Sequence, residues 1–293
     1  MKYLNLIVCL LIVYSCDNKK SLISATYKST INEYRAERLA SRKAGYLQLA
    51  GLYKLDSINS FGKGSENTIE LTIDDIPELI GTIESVNDTL HFRAADNVKI
   101  TTKTDSVLTL LPLKLDTYGS SIKMFYKHIN WQVITRSGTR YLRIWNKKNP
   151  AIEAFTGFEF FDLNPAMILQ GDFTYYQNEK NQMVASQLGV DTNTNFIGKV
   201  TFEYNGEMHD LDVGNNGFTM VADLTSGEAT YGGGRYIYLE LPKESGTVEI
   251  DFNKLYNPPC SFSAYTTCLY PPRQNHLPFD IMAGETITTI NQP

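Results

Sequence analysis

The sequence predicts a mainly β protein, an antiparallel sandwich or barrel preceded by one amphipathic helix. Three observations carry this. Short runs rich in Val, Ile, Thr and aromatic residues recur roughly every ten residues, with turn residues between them. Two of the gaps, Ser137-Gly138 and Asn205-Gly206, are two-residue hairpin signals. No strand–helix–strand alternation runs through the chain, which argues against a parallel sheet. Counts of 18 Tyr and 14 Phe agree, since both residue types favour strands.

The N-terminus reads as an export signal. Met1-Lys2-Tyr3 is followed by an apolar run from Leu4 to Val13, broken only by Asn5. One positive charge and a short apolar core are signal-peptide features, and the run is shorter than the ~20 residues of a membrane span. Val13-Tyr14-Ser15-Cys16 resembles the lipobox of bacterial lipoproteins. That resemblance implies cleavage before Cys16 and acyl chains, palmitate among them, on Cys16. Residues 1–15 are then the signal, 16–27 a polar tether, and 28–293 a single β-rich domain. The polar stretch 181–195 reads as an exposed loop, or as the boundary if that domain divides. The expected location is the cell envelope, outside the cytoplasm, held to a bacterial membrane through the lipid.

The first element is a helix. Thr30-Ile31-Asn32-Glu33 fits a capping box, and Gly45 fits a C′ position, so the helix is expected over Thr30–Ala44. Tyr34, Arg35, Arg38, Leu39 and Arg42 share one face, and the Arg and Glu content leaves only a narrow buried stripe. Strand-like runs follow from Tyr46–Tyr53 to Thr247–Phe252, including Trp131–Arg136 with Thr139–Trp145 and Phe196–Tyr204 with Met208–Val213.

Composition excludes some classes. An apolar fraction of 42% is that of a folded globule. A net charge of −5 with no basic stripe argues against a nucleic-acid partner. Of four cysteines, Cys9 leaves with the signal and Cys16 carries lipid, so Cys260 and Cys268 remain. Spaced C-x7-C in an exported chain, they read first as a disulfide.

The densest segment is Asp251-Phe252-Asn253-Lys254-Leu255-Tyr256-Asn257-Pro258-Pro259-Cys260-Ser261-Phe262, continued by Cys268, Pro271-Pro272, Asn275-His276 and Ala283-Gly284-Glu285. Two Pro-Pro pairs make a stiff irregular loop, and such loops often carry sites. This segment resembles the bacterial and archaeal family known as domain of unknown function 1684. Earlier pieces are similar too: Tyr34-Arg35, Gly51-Leu52-Tyr53-Lys54-Leu55, Asn59 with Gly62, Gly138 with Arg143, and Thr230-Tyr231 with Gly234-Arg235. The resemblance implies family membership and no reaction. It also implies an acid in the strand after Arg143, where this chain has Asn146.

The chemistry stays open between a few readings. Cys260 or Cys268 with His276 as base is the thiol-enzyme reading. Cys260, Cys268 and His276 are a zinc option at an unusual spacing, and Asp251, Asn253 and Asn257 a calcium option lacking the EF-hand pattern. Asx residues that cap turns are the plainer alternative, and no metal or cofactor is expected. No G-x-S-x-G motif is present. The triple glycine before Arg235 is either a bend or a backbone approach to a ligand, with Arg235 as an anion clamp. Lys254 is expected to point away from Asp251 and Asn253, so Arg143 and Arg235 are the cations expected to meet Asp251 or Glu285.

The candidate cluster is therefore Arg143, Arg235, Asp251, Asn253, Asn257 and Glu285. Aromatic and Asx residues without an acid–base–nucleophile set suggest an envelope module that binds a small polar or carbohydrate-like ligand, or a protein partner. The alternative is a carboxylate-based or metal-assisted hydrolase using Asp251 and Glu285.

Overall fold

A computed structural model describes residues 23–104, 107–189 and 191–289. The signal, Cys16 and most of the tether lie outside the described residues. The expected class holds: antiparallel sheets behind one long helix, with no closed barrel.

Helix α1 spans Ala25–Ala44, 20 residues or about 30 Å. It starts five residues before the capping box. Ser24 is the N-cap, its Oγ accepting the Tyr27 N–H at 3.0 Å. Thr30 instead lies one turn in and donates its hydroxyl back to the Thr26 carbonyl at 3.2 Å. A nearer cap of the same chemistry outcompetes it. Gly45 ends the helix at φ −126°, so it is not the left-handed C′ glycine expected.

Eleven strands follow in the N-terminal half: β1 (Leu49–Lys54), β2 (Ile58–Gly62), β3 (Ile69–Glu70), β4 (Gly81–Val86), β5 (Thr89–Ala94), β6 (Ile100–Thr101), β7 (Val107–Leu108), β8 (Leu110–Leu113), β9 (Met124–Tyr126), β10 (Ile129–Arg136) and β11 (Thr139–Asn146). They make two open sheets, ordered β1-β11-β10-β9-β6-β7 and β3-β2-β4-β5-β8. One core lies between them, centred on fully buried Trp131 with Phe61 at 5.4 Å and Phe92 at 5.9 Å. Ser137 and Gly138 both have positive φ, 46° and 79°, as the predicted hairpin turn requires. The strand expected to begin at Tyr46 begins at Leu49, because Tyr46–Gln48 form a 3-10 turn that packs Leu47 inward.

A short helix α2 (Ala151–Ala154) leads into the C-terminal half. Its strands are β12 (Phe158–Phe160), β13 (Ile168–Val184), β14 (Thr192–Tyr204), β15 (Glu207–Gly214), β16 (Phe218–Val221), β17 (Arg235–Tyr238), β18 (Gly246–Asp251) and β19 (Glu285–Thr289). The sheet β15-β14-β13-β18 faces the pair β16-β17 across a second core that includes Phe173, Val200, Leu211 and Ile237. Asn205 and Gly206 form the predicted turn, with φ 53° and 81°.

The longest strand, β13, carries no apolar alternation. Its pattern shows few inward apolar residues because residues 174–183 have no buried position and Gly171 occupies one of the three buried ones, where Val200 and Ile250 fill the space a side chain would take. Residues 181–184 and 192–195 are the paired ends of β13 and β14, from Asn181↔Asn195 to Val184↔Thr192, where the sequence suggested a loop or boundary.

Both tryptophans, Trp131 and Trp145, lie in the N-terminal half. Trp131→Ala should destabilise that half by about 3–5 kcal/mol through the cavity it leaves. Denaturation followed by the fluorescence of Trp145 checks it; a loss under about 1 kcal/mol would mean the ring is not the centre of that core.

Candidate functional site

Helix α1 does not lie on the N-terminal half that follows it in sequence. Its inner face is Tyr27, Ile31, Tyr34, Arg38 and Arg42, one stripe at helical spacing; Ile31 is buried, and the other four reach the C-terminal motif. The Tyr27 hydroxyl donates to both oxygens of Asp251 at 3.0 Å. The Tyr34 hydroxyl donates to the Lys254 carbonyl at 2.8 Å, and burial pushes its pKa up to about 12. The Arg38 guanidinium lies over the Tyr256 ring, 3.4 Å from its centre. Arg35, beside this stripe, covers the Phe160 ring at 3.8 Å.

Arg42 closes the stripe and meets Glu285. Its Nη1 and Nη2 donate to the two carboxylate oxygens at 2.7 and 2.8 Å, and both side chains are buried. Glu285 Oε2 also accepts the Asn257 N–H at 2.6 Å, while the Asn257 carbonyl accepts Arg42 Nη2 at 3.3 Å. The Asn257 side chain donates to the Thr286 carbonyl at 2.6 Å. A two-pronged pair with its remaining lone pairs used is the arrangement that offsets the desolvation of buried charge. Sequence reasoning missed Arg42 as this partner. Its place on the same helical face as Tyr34 and Arg38 was the available signal.

Asp251 sits in a second knot. It accepts the backbone and side-chain N–H groups of Asn253, each at 3.1 Å, besides the Tyr27 hydroxyl. Asn253 in turn exchanges two hydrogen bonds with the Asn164 backbone, at 2.8 and 3.0 Å. Lys254 does not point away as expected: its Nζ is 3.4 Å from Asp251 Oδ2. The strand ends at Asp251, and the 3-10 turn Phe252–Lys254 brings position i+3 back over position i.

Arg235 is fully buried, and its acid is Asp223 at 3.0 Å. It also donates to the carbonyls of Ala283 at 2.5 Å, Ile281 at 2.9 Å and Glu285 at 3.2 Å. It therefore touches Glu285 through the backbone and not the carboxylate, and it is no open anion clamp. Burial pulls its pKa down, opposed by Asp223. Gly234, at φ +76°, lets this strand start hard against the Pro-Pro loop; a Cβ there would run into Pro271 and lie 2.8 Å from the Val221 carbonyl. The triple glycine ends in packing against the loop.

Arg143 does not join the cluster. It lies on β11 in the N-terminal half, half-buried, and makes no ion pair with Asp251 or Glu285. Burial first, then Arg136, lowers its pKa to about 10, with Tyr46 opposing. Asn146, in place of the expected acid, caps a turn by accepting the Lys148 N–H at 2.8 Å. The cluster the structure assembles is Arg42, Arg235, Asn257 and Glu285, with Asp251 and Asn253 in the adjoining knot.

Cys260 and Cys268 form a disulfide, Cα–Cα 6.1 Å, so neither is a free thiol in this state. The loop it closes presents Phe262, which stacks on Phe155 at 5.3 Å and meets Phe158 at 6.1 Å. The Tyr236 hydroxyl donates to the Leu269 carbonyl just past the disulfide, at 2.5 Å. Among the described residues, no three His, Cys, Asp or Glu side chains gather as a metal would need.

These elements enclose a cleft of about 370 Å³ between α1, β16-β17 and the disulfide loop. Six aromatic rings line it: Tyr46, Phe218, Tyr236, Tyr238, Tyr256 and Phe262. Tyr238 and Tyr256 lie nearly parallel, 8° apart with ring centres at 6.4 Å, and Phe218 meets Tyr236 edge-on at 4.9 Å. Arg38, Arg42 and Asn257 supply the polar lining. Burial raises the pKa of Tyr236 and Tyr256, which keeps both hydroxyls neutral.

Residues 153–286 match the model of a family described as "Protein of unknown function (DUF1684)". The matched stretch covers most of the C-terminal half with the motif and, apart from Arg42, the cluster above; α1 and the N-terminal sheets lie outside it. No curated protein matches the chain. The solution NMR structure of an uncharacterized protein from Haloarcula marismortui is similar at 25% identity, covering 46% of this chain and 78% of that one, with a TM-score of 0.38.

Arg42→Ala should lower stability by about 3–5 kcal/mol, because it leaves a buried carboxylate unpaired. Arg42→Met with Glu285→Met should recover part of this, since it strands no charge and leaves only the Asn257 N–H and carbonyl without these partners, at about 1–3 kcal/mol. Urea unfolding of the three proteins checks the order. A single variant less harmful than the double would show that the pair does not hold the helix.

Proposed function

Since residues 153–286 match the model of DUF1684, a family whose description states no activity, we propose from the site's geometry that the chain is a binding module for a small polar or carbohydrate-like ligand, acting in the cell envelope. The observation that carries this is the cleft: six rings around about 370 Å³, with polar groups at its edge and floor. Binding sites for small ligands are concave, largely apolar and aromatic, with a few placed polar groups. Tyr238, about half exposed, presents an apolar ring beside the parallel Tyr256, and its hydroxyl offers a hydrogen bond.

The hydrolase reading asks two carboxylates to face one cavity with oxygens free. Glu285 spends both oxygens on Arg42 and Asn257, and Asp251 spends its own on Tyr27, Asn253 and Lys254. The geometry favours binding over that chemistry. The envelope setting rests on the signal-like N-terminus and the lipobox resemblance at Cys16. A disulfide at Cys260–Cys268 suits an oxidising compartment.

Tyr46 and Tyr238 are about half exposed, so their removal spares the core. Tyr46→Ala and Tyr238→Ala should each weaken binding of a neutral trisaccharide such as galactotriose by roughly tenfold, with unchanged melting temperature. NMR titration measures this. Equal affinity in the variants and the parent would remove the cleft from the account.

A further inference from the structure

We propose that the sugar taken by this cleft carries an acidic group, carboxylate or sulfate, read by Arg38; the inference rests on the binding-module reading above. Arg38 has no carboxylate partner among the described residues, while the neighbouring Arg42 is neutralised by Glu285. The face of the Arg38 guanidinium is laid on Tyr256 at 3.4 Å, which fixes its plane and leaves its edge as the donor surface. Its Nε is shut from solvent with no acceptor, so the two Nη groups are the donors left to a ligand.

The surroundings agree in sign. No Asp or Glu lines the cleft. The wider groove on the other side of Tyr238, about 1040 Å³, is lined by Glu33, Glu37, Glu240, Glu249 and Asp251. In a chain of net charge −5, acids gather in one depression and are missing from its neighbour. An anionic ligand is turned away from the first and admitted by the second. An aromatic floor with one fixed guanidinium at the rim suits a pyranose ring bearing an acidic substituent.

Calorimetric titration of the purified protein with galactotriose, trigalacturonate and a sulfated galactose trisaccharide tests this. The acidic forms, or one of them, should bind at least about tenfold tighter than galactotriose, and the gap should narrow as salt is raised. Arg38→Gln should bring the acidic sugars down to the neutral affinity, and Arg38→Lys should keep part of the preference. Should Arg38→Gln fail to fold, the parent's ranking of the three sugars decides. Equal affinity for all three in the parent, or a preference that survives in a folded Arg38→Gln, overturns the assignment of Arg38 while leaving the cleft a sugar site. Failure of all three to bind overturns both readings.

Discussion

The pairing of Arg42 with Glu285 is the contact on which the docking of α1 against the C-terminal half depends. It joins the last turn of α1 to the first residue of β19, 243 positions away in the chain. Both charges are buried, and both are fully supplied with partners. Such a pair adds little net stability over two apolar residues, yet breaking it strands a charge in the interior. Its effect is to allow one placement of the helix and to penalise others.

The helix needs that constraint because it has little else. Ile31 is its one fully buried apolar side chain, and Leu39 is only partly covered. Most of its inner face is polar: two tyrosine hydroxyls, one guanidinium on a ring, and the buried pair. Directional contacts at positions 27, 34, 38 and 42 replace the usual apolar stripe. They set helix rotation as well as position, and rotation decides which way Arg38 faces. The cleft is therefore a consequence of the docking: α1 forms one wall, the disulfide loop another, and β16-β17 the third.

Legibility followed the physics of each segment. Hairpins at Ser137-Gly138 and Asn205-Gly206 were readable because only particular residues tolerate two successive positive φ values. The disulfide was readable from the C-x7-C spacing, read together with an N-terminus that resembles an export signal. Strand β13 was not readable, since residues 174–183 have no buried position and Gly171 takes one of the three that are buried. The motif at 251–285 was visible as dense and stiff, and Asp251, Asn253, Asn257, Arg235 and Glu285 do lie in adjoining knots. Their charged partners were misassigned: Glu285 pairs with Arg42, 243 positions away on the helical face of Tyr34 and Arg38, Arg235 pairs with Asp223, and Arg143 lies on the other half. Lys254 was misplaced because strand alternation was extended past the residue where the strand ends.

Hydrogen exchange in Glu285→Gln addresses the docking of α1 directly. With Arg42 left unpaired, amides of Ile31–Ala44 should lose protection by on the order of a hundredfold, while β13, β14 and β15 keep theirs. That separation would show a helix held by one buried pair on a sheet that stands without it. Unchanged protection across α1, or equal loss in helix and sheet, would contradict the account.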